Sequence, residues 1–152
     1  MHAMFIRLVL CFFNLLFFSG IIYAGDLDKG LAEAVAAGDI PKLRMLLDQG
    51  AEINARNKEG ETTLMVAALE GRTDMVKFLI EKGADLNARD GVGATPLLYA
   101  ALGGSVEAIK LLIDKGADPN AKTTDGQTAL SISRVRENQA AVEFLEQALA
   151  KK

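Results

Sequence analysis

The chain has 152 residues, half of them apolar, a formal net charge of -3, one histidine and one cysteine. That length suits one domain of ordinary size with a sizeable core. The charge balance argues against nucleic acid, which calls for a clustered basic surface, and the lack of tryptophan argues against single-strand stacking platforms.

Residues 1–24 differ in composition from everything after them. Arg7 is their one full charge, Leu8 to Phe18 is apolar except for Asn14, and Ser19 and Gly20 follow. Ile22-Tyr23-Ala24 then offers a small-residue exit before Gly25. A short basic start, an apolar run and such an exit predict a secretory signal peptide over 1–24. A retained anchor is the alternative, since the 17 residues of Leu8 to Ala24 reach the short edge of the spanning range of about 17–25. Cys11 lies mid-run after Leu10, away from any processing site, so lipid attachment there is not expected. Once the leader is removed, neither Cys11 nor His2 remains.

A first, irregular helix pair is expected over 26–56. Leu27, Leu31, Ala34 and Val35 fall at helical spacing, Gly38 stops that helix, and Pro41 stands near the start of the next. Leu43, Leu46 and Leu47 make the second helix's apolar stripe. Two regular units follow, 57–89 and 90–122. Thr62 and Thr95, with Thr128 in the last unit, are N-cap residue types, and Pro96 follows its threonine where a missing N–H costs nothing. Gly83 and Gly116 end the second helices, where a left-handed residue is favoured. On those helices Asp74 with Lys77, and Glu107 with Lys110, are expected to pair at i, i+3 on a solvated face. The closing unit, 123–152, has Arg134 where earlier units have Ala, and Glu137-Asn138 where they have Gly. Glu143, Glu146, Gln147, Lys151 and Lys152 give its last helix a polar side.

These units share one period. Gly50-Ala51-Glu52-Ile53-Asn54-Ala55-Arg56 returns as Gly83-Ala84-Asp85-Leu86-Asn87-Ala88-Arg89 and as Gly116-Ala117-Asp118-Pro119-Asn120-Ala121-Lys122, a step of 33 residues. Gly60, Gly93 and Gly126 keep the step, as do Gly38, Gly71 and Gly104, and Leu46, Leu79, Leu112 and Leu145. Such a period means a repeat array. No unit can bury its apolar face alone, so stacking builds a solenoid, and irregular end units serve as caps.

Thr95-Pro96-Leu97 and Gly116-Ala117-Asp118-Pro119-Asn120-Ala121 closely match the Thr-Pro-Leu-His opening and Gly-Ala-Asp-x-Asn-Ala close of the ankyrin repeat. The chain from about Asp26 onward resembles that family. The resemblance implies an all-α solenoid of stacked helix pairs with β-hairpin-like loops. The family's histidine is replaced by Met65, Leu98 and Ser131, so looser polar contacts between repeats are expected.

The sequence carries no pattern expected of a catalytic site. Without His2 and Cys11 there is no Ser–His–Asp or Cys–His nucleophile and no imidazole or thiolate metal site. Glu59 with Glu61, and Asp85 with Asp90, read as solubility residues at hairpin tips, with nothing nearby to desolvate them. Gly91-Val92-Gly93 and Gly103-Gly104 lack the strand and Lys-Ser or Lys-Thr of a phosphate loop. Asp118-Pro119-Asn120 and Asp125-Gly126 lack calcium-loop spacing; they are turn residues. No catalytic residue, cofactor or metal is expected.

What remains is a surface. The resemblance implies that partners bind the concave side, built from hairpin tips and the exposed ends of the first helices. There Ala36, Leu69, Leu102 and Val135 form an apolar ladder, with Glu70, Gly103 and Arg136 beside it. Lys58, Glu59, Glu61, Val92 and Thr124 stand at the hairpin tips. Leu69, Leu102 and Val135 are the expected anchors inside a polar rim, and Leu69 and Leu102 could equally finish the core. Met65, Val66, Leu98, Tyr99 and Ile132 are expected to pack in the core, not to line a pocket. Arg56, Arg89 and Lys122 form a cationic ladder, expected to pair with Glu52, Asp85 and Asp118.

The function this implies is a non-catalytic, monomeric protein-binding module, exported to the periplasm, or membrane-anchored if the leader is retained. No nucleic-acid or membrane binding is expected after cleavage. Three alternatives are an inhibitor or immunity-type protein that blocks a toxin or enzyme, an accessory protein protecting an envelope antioxidant enzyme, and a hydrolase working with the carboxylates of Glu59 and Glu61 alone. The second follows from resemblance to exported ankyrin proteins thought to work beside such enzymes.

Overall fold

The computed structural model describes residues 29–151. The leader over 1–24, with Cys11 and His2, lies outside the described residues, as do Leu27 and Lys152. The described residues form helices in pairs. The first pair is α1, residues 29–37, and α2, Ile40–Asp48. The second is α3, Thr63–Leu69, and α4, Thr73–Glu81. The third is α5, Pro96–Gly103, and α6, Val106–Asp114. The last is α7, Ala129–Val135, and α8, Gln139–Ala150. Among the described residues there is no strand, only an isolated antiparallel bridge between Arg56 and Thr62.

Two layers result. Helix α5 packs between α3 and α7, while α4, α6 and α8 stack behind them. Leu31, Leu64 and Leu97 from the first layer, and Leu79, Leu112 and Leu145 from the second, are fully buried in one continuous core. Burying each such side chain contributes about 1.5–3 kcal/mol. Small residues set the spacing of the first layer: Ala67, Ala68, Ala100 and Ala101 are all at 0 % exposure. At Gly103 the approach is closest, because a Cβ there would stand 2.1 Å from the carbonyl oxygen of Leu69.

Side-chain caps mark where most of the helices start. Thr62 accepts from the Met65 N–H at 3.4 Å, and Thr128 from the Ser131 N–H at 3.1 Å. Met65 and Ser131 answer in turn, Sδ and Oγ accepting the N–H of Thr62 and Thr128. Leu98 has no such atom, and the Thr95 hydroxyl is buried without a partner. In the second layer α2, α6 and α8 begin on Asp39, Ser105 and Asn138, whose side chains accept from the backbone N–H three residues on, while α4 begins after Arg72 without a side-chain cap. After α4, Gly83 takes the left-handed conformation with φ 90°, and the next N–H closes back on Leu79, which ends the helix and turns the chain into the hairpin.

Polar contacts join each unit to the next. Arg56 donates to the carbonyl oxygens of Gly60 and Arg89, and Arg89 to those of Gly93 and Lys122. These two guanidinium groups clasp one hairpin to the next, a contact between units that the expected pairing within each loop did not include. Asn54 and Asn87 accept from the N–H of Asp85 and Asp118, 31 residues on. Arg72 reaches back to the Ala36 carbonyl at 2.7 Å, and Asn138 to that of Gly104 at 2.8 Å. The expected i, i+3 ion pairs on α4 and α6 do not form. Among the described residues the ion pairs are Lys42 with Glu33 and Arg134 with Glu146. Cations instead lie over rings of the second layer: Arg44 over Phe78 and Lys110 over Phe144.

Candidate functional site

The hairpins are closed by short backbone bonds, Asn57 N–H to Glu61, Asp90 to Ala94 and Thr123 to Gln127, each 3.0 Å. Neighbouring tips are tied by Gly91 N–H to the Glu59 carbonyl at 3.2 Å and Thr124 N–H to that of Val92 at 2.9 Å. The tips therefore stand as one row beside the free face of α3, α5 and α7. Between row and helices lies a hollow of about 640 Å³. Its apolar wall is Leu69 and Leu102 with Leu98 and Ile132 from the helices, and Val92 and Ala94 from the hairpin closed by Asp90 and Ala94.

The polar part of the hollow centres on Tyr99. Its hydroxyl lies 2.7 Å from Glu61 Oε1 and 2.8 Å from Asp90 Oδ2, donating to carboxylates of two different hairpins. One proton serves two anions. Burial pushes the Tyr99 phenol far above its ordinary range, and the hydrogen bonds to Glu61 and Asp90 and their negative charge push it further. The remaining oxygens are held as well: Glu61 Oε2 accepts from Asn57 Nδ2 at 2.7 Å, and Asp90 Oδ1 from the N–H of Val92 and Ala94. Asp125, which also lines the hollow, accepts from the Thr123 hydroxyl.

This arrangement corrects two expectations. Glu61 and Asp90 are partly buried and engage across units at Tyr99, so they are not merely solvated tip residues. Leu98, Tyr99 and Ile132 line the hollow, and Val66 lines a second groove with Lys29, Arg56 and Lys58. Core packing itself is as expected: Met65 and Leu98 are fully buried, and Val66, Tyr99 and Ile132 are partly buried against the core; what differs is that an edge of these side chains also reaches a hollow. Periodicity places residues on a face, but a hydrogen bond between positions 61 and 99 crosses units in a way no single repeat displays. The cue available was Tyr99 itself, a phenol on a helix face where the other units hold Val66 and Ile132.

The expected site residues divide. Leu69 is half-buried and Leu102 is 45 % exposed, both on the hollow's wall. Val92 at 58 %, Thr124 and Glu61 complete the part that gathers there. Val135 is 81 % exposed at the end of α7 and outside the hollow. Glu70 and Arg136 are exposed at the C-caps of α3 and α7. Lys58 lies in the second groove, and Glu59, exposed, contributes its carbonyl to the tip-to-tip bond.

Among the described residues no group of three or more His, Cys, Asp or Glu side chains is placed to hold a metal ion, and no helix is long and apolar enough to cross a membrane.

Comparison with known proteins agrees with the stacked pairs. Over 49 residues, 32 % of its length, the chain is 45 % identical to a mitochondrial disaggregase of Bos taurus. The match is confined to an ankyrin-like stretch and spans 7 % of that protein. The family model for ankyrin repeats (3 copies) matches residues 31–123 and 90–151. With that match covering every helix pair described above, the chain belongs to the ankyrin-repeat family.

Proposed function

We propose that this protein is a docking module of the cell envelope that binds another protein along the face formed by its hairpin row and α3, α5 and α7. Ankyrin repeats are generally protein-binding and generally non-catalytic. The observation that carries the choice of face is the hollow, where Leu69, Leu102 and Val92 leave apolar surface open beside hydrogen-bonded polar groups. Exposed apolar patches rimmed by polar residues mark interaction sites. Rigidity suits the role, because the guanidinium clasps and the Tyr99 bridge fix the hairpins before a partner arrives, which lowers the entropy lost on binding.

The envelope location rests on the composition of residues 1–24, an apolar run with one charge and a small-residue exit. N-terminal sequencing of protein from the envelope fraction tests it: a start at Gly25 supports export with cleavage, and a start at Met1 on membrane material opposes it.

Leu102→Asp tests the face. It should abolish capture of partners from an envelope extract while leaving the thermal midpoint nearly unchanged, since the side chain is 45 % exposed. Capture at wild-type level by the folded variant contradicts the proposal.

A further inference from the structure

We propose that the hollow beneath the hairpins takes a lysine or arginine side chain that stands next to an apolar residue on the bound polypeptide. This deepens the docking function proposed above and rests on it. The hollow carries three carboxylates, Glu61, Asp90 and Asp125, and no cation among the residues that line it. Among the described residues, neither ion pair involves any of the three. Glu61 and Asp90 are part-buried and within hydrogen-bond reach of one hydroxyl, so two negative charges share a single proton donor. A cation arriving there meets both charges at once, in a setting less screened than open solvent.

The walls decide what kind of cation. Leu69, Leu98, Leu102 and Ile132 flank the carboxylates, so an occupant must present an aliphatic stem to the wall and a charged head to the acids. Lysine and arginine are built that way; a hydrated metal ion is not, and it would leave the leucines against water. At about 640 Å³ the hollow falls in the ordinary range of binding pockets, roughly 300–1,000 Å³, leaving room for a neighbouring apolar side chain against Val92. The adjoining groove differs in sign, carrying Lys29, Arg56 and Lys58 with one carboxylate, Glu61. A basic segment is therefore directed to the hollow and repelled from the groove between the first and second units.

The test is selection of a phage-displayed random dodecapeptide library on the immobilised whole chain, with Leu102→Arg as the counter-target, which places a cation of its own at the hollow. Selected peptides should carry Lys or Arg beside Leu, Ile or Phe. Replacing that residue by citrulline or acetyl-lysine should weaken binding about tenfold or more, as should Asp125→Asn in the protein. The thermal midpoint of Asp125→Asn checks that the fold is kept. Neutral or acidic peptides that bind the wild type and fail on Leu102→Arg would overturn the cation while leaving the docking face standing. Peptides that bind Leu102→Arg as tightly as the wild type would overturn the face and the cation together.

Discussion

Gly103 gives the sharpest test of the packing. It lies in α5, where alanine is ordinarily favoured over glycine by about 1 kcal/mol. The structure reverses that preference. A Cβ would stand 2.1 Å from the Leu69 carbonyl oxygen and 2.9 Å from its carbonyl carbon, where ordinary contact begins at 3.4 Å. The obstacle is backbone and cannot rotate away, so α3 and α5 must separate by roughly 1 Å, losing contacts along both helices. Overpacking of this kind costs about 1–3 kcal/mol, and a rigid obstacle places it at the upper end. After subtracting the gain in helix propensity, Gly103→Ala should destabilise the fold by about 2 kcal/mol. With a urea slope of about 1–3 kcal/mol/M, the midpoint followed by far-UV circular dichroism should fall by about 1 M. An unchanged or raised midpoint would refute the close approach of the second and third units.

Tyr99→Phe removes the donor shared by Glu61 and Asp90 and should cost about 1 kcal/mol in a urea titration at neutral pH. The folded state holds the phenol proton more tightly than the unfolded chain does, because its pKa is raised. That contribution is complete below about pH 10 and is lost as pH rises further; the wild type should weaken there by a share that Tyr99→Phe lacks. Ser133 is at 0 % exposure with its hydroxyl unpartnered, at the register held by Ala34, Ala67 and Ala100, so Ser133→Ala should raise stability by about 1 kcal/mol by the same measurement. Glu137 has φ 55°, where Gly38, Gly71 and Gly104 hold 73°, 65° and 80°; Glu137→Gly should therefore stabilise the last unit by about 1 kcal/mol, seen as a higher thermal midpoint.

The fold was legible because the 33-residue step repeats every local cue: a threonine that starts a helix, a glycine that ends one, leucines that must meet their copies. Glu137 shows the strength of that register, since the sequence marks the departure from glycine and the backbone keeps the left-handed turn regardless. What escaped were contacts between unlike positions of different units. Arg56 and Arg89 look like partners for nearby acids, but their planar donors reach carbonyls of the next hairpin. Tyr99 looks like core, yet its long side chain carries a hydroxyl past the apolar layer to two carboxylates. Gly103 reads as a neighbour of the apolar ladder, while its lack of a Cβ serves a helix crossing visible only with both units in place.

The central claim is that the hairpin side of the first helix layer, and not the second-layer helices, meets the partner. Val92 at the hollow and Met45 on α2 are comparably exposed, 58 % and 51 %. Each would be replaced by the photo-crosslinking residue p-benzoylphenylalanine and the protein irradiated in its native cells. A covalent partner adduct from position 92 and none from position 45 is the result expected; an adduct from 45 with none from 92 would contradict the account.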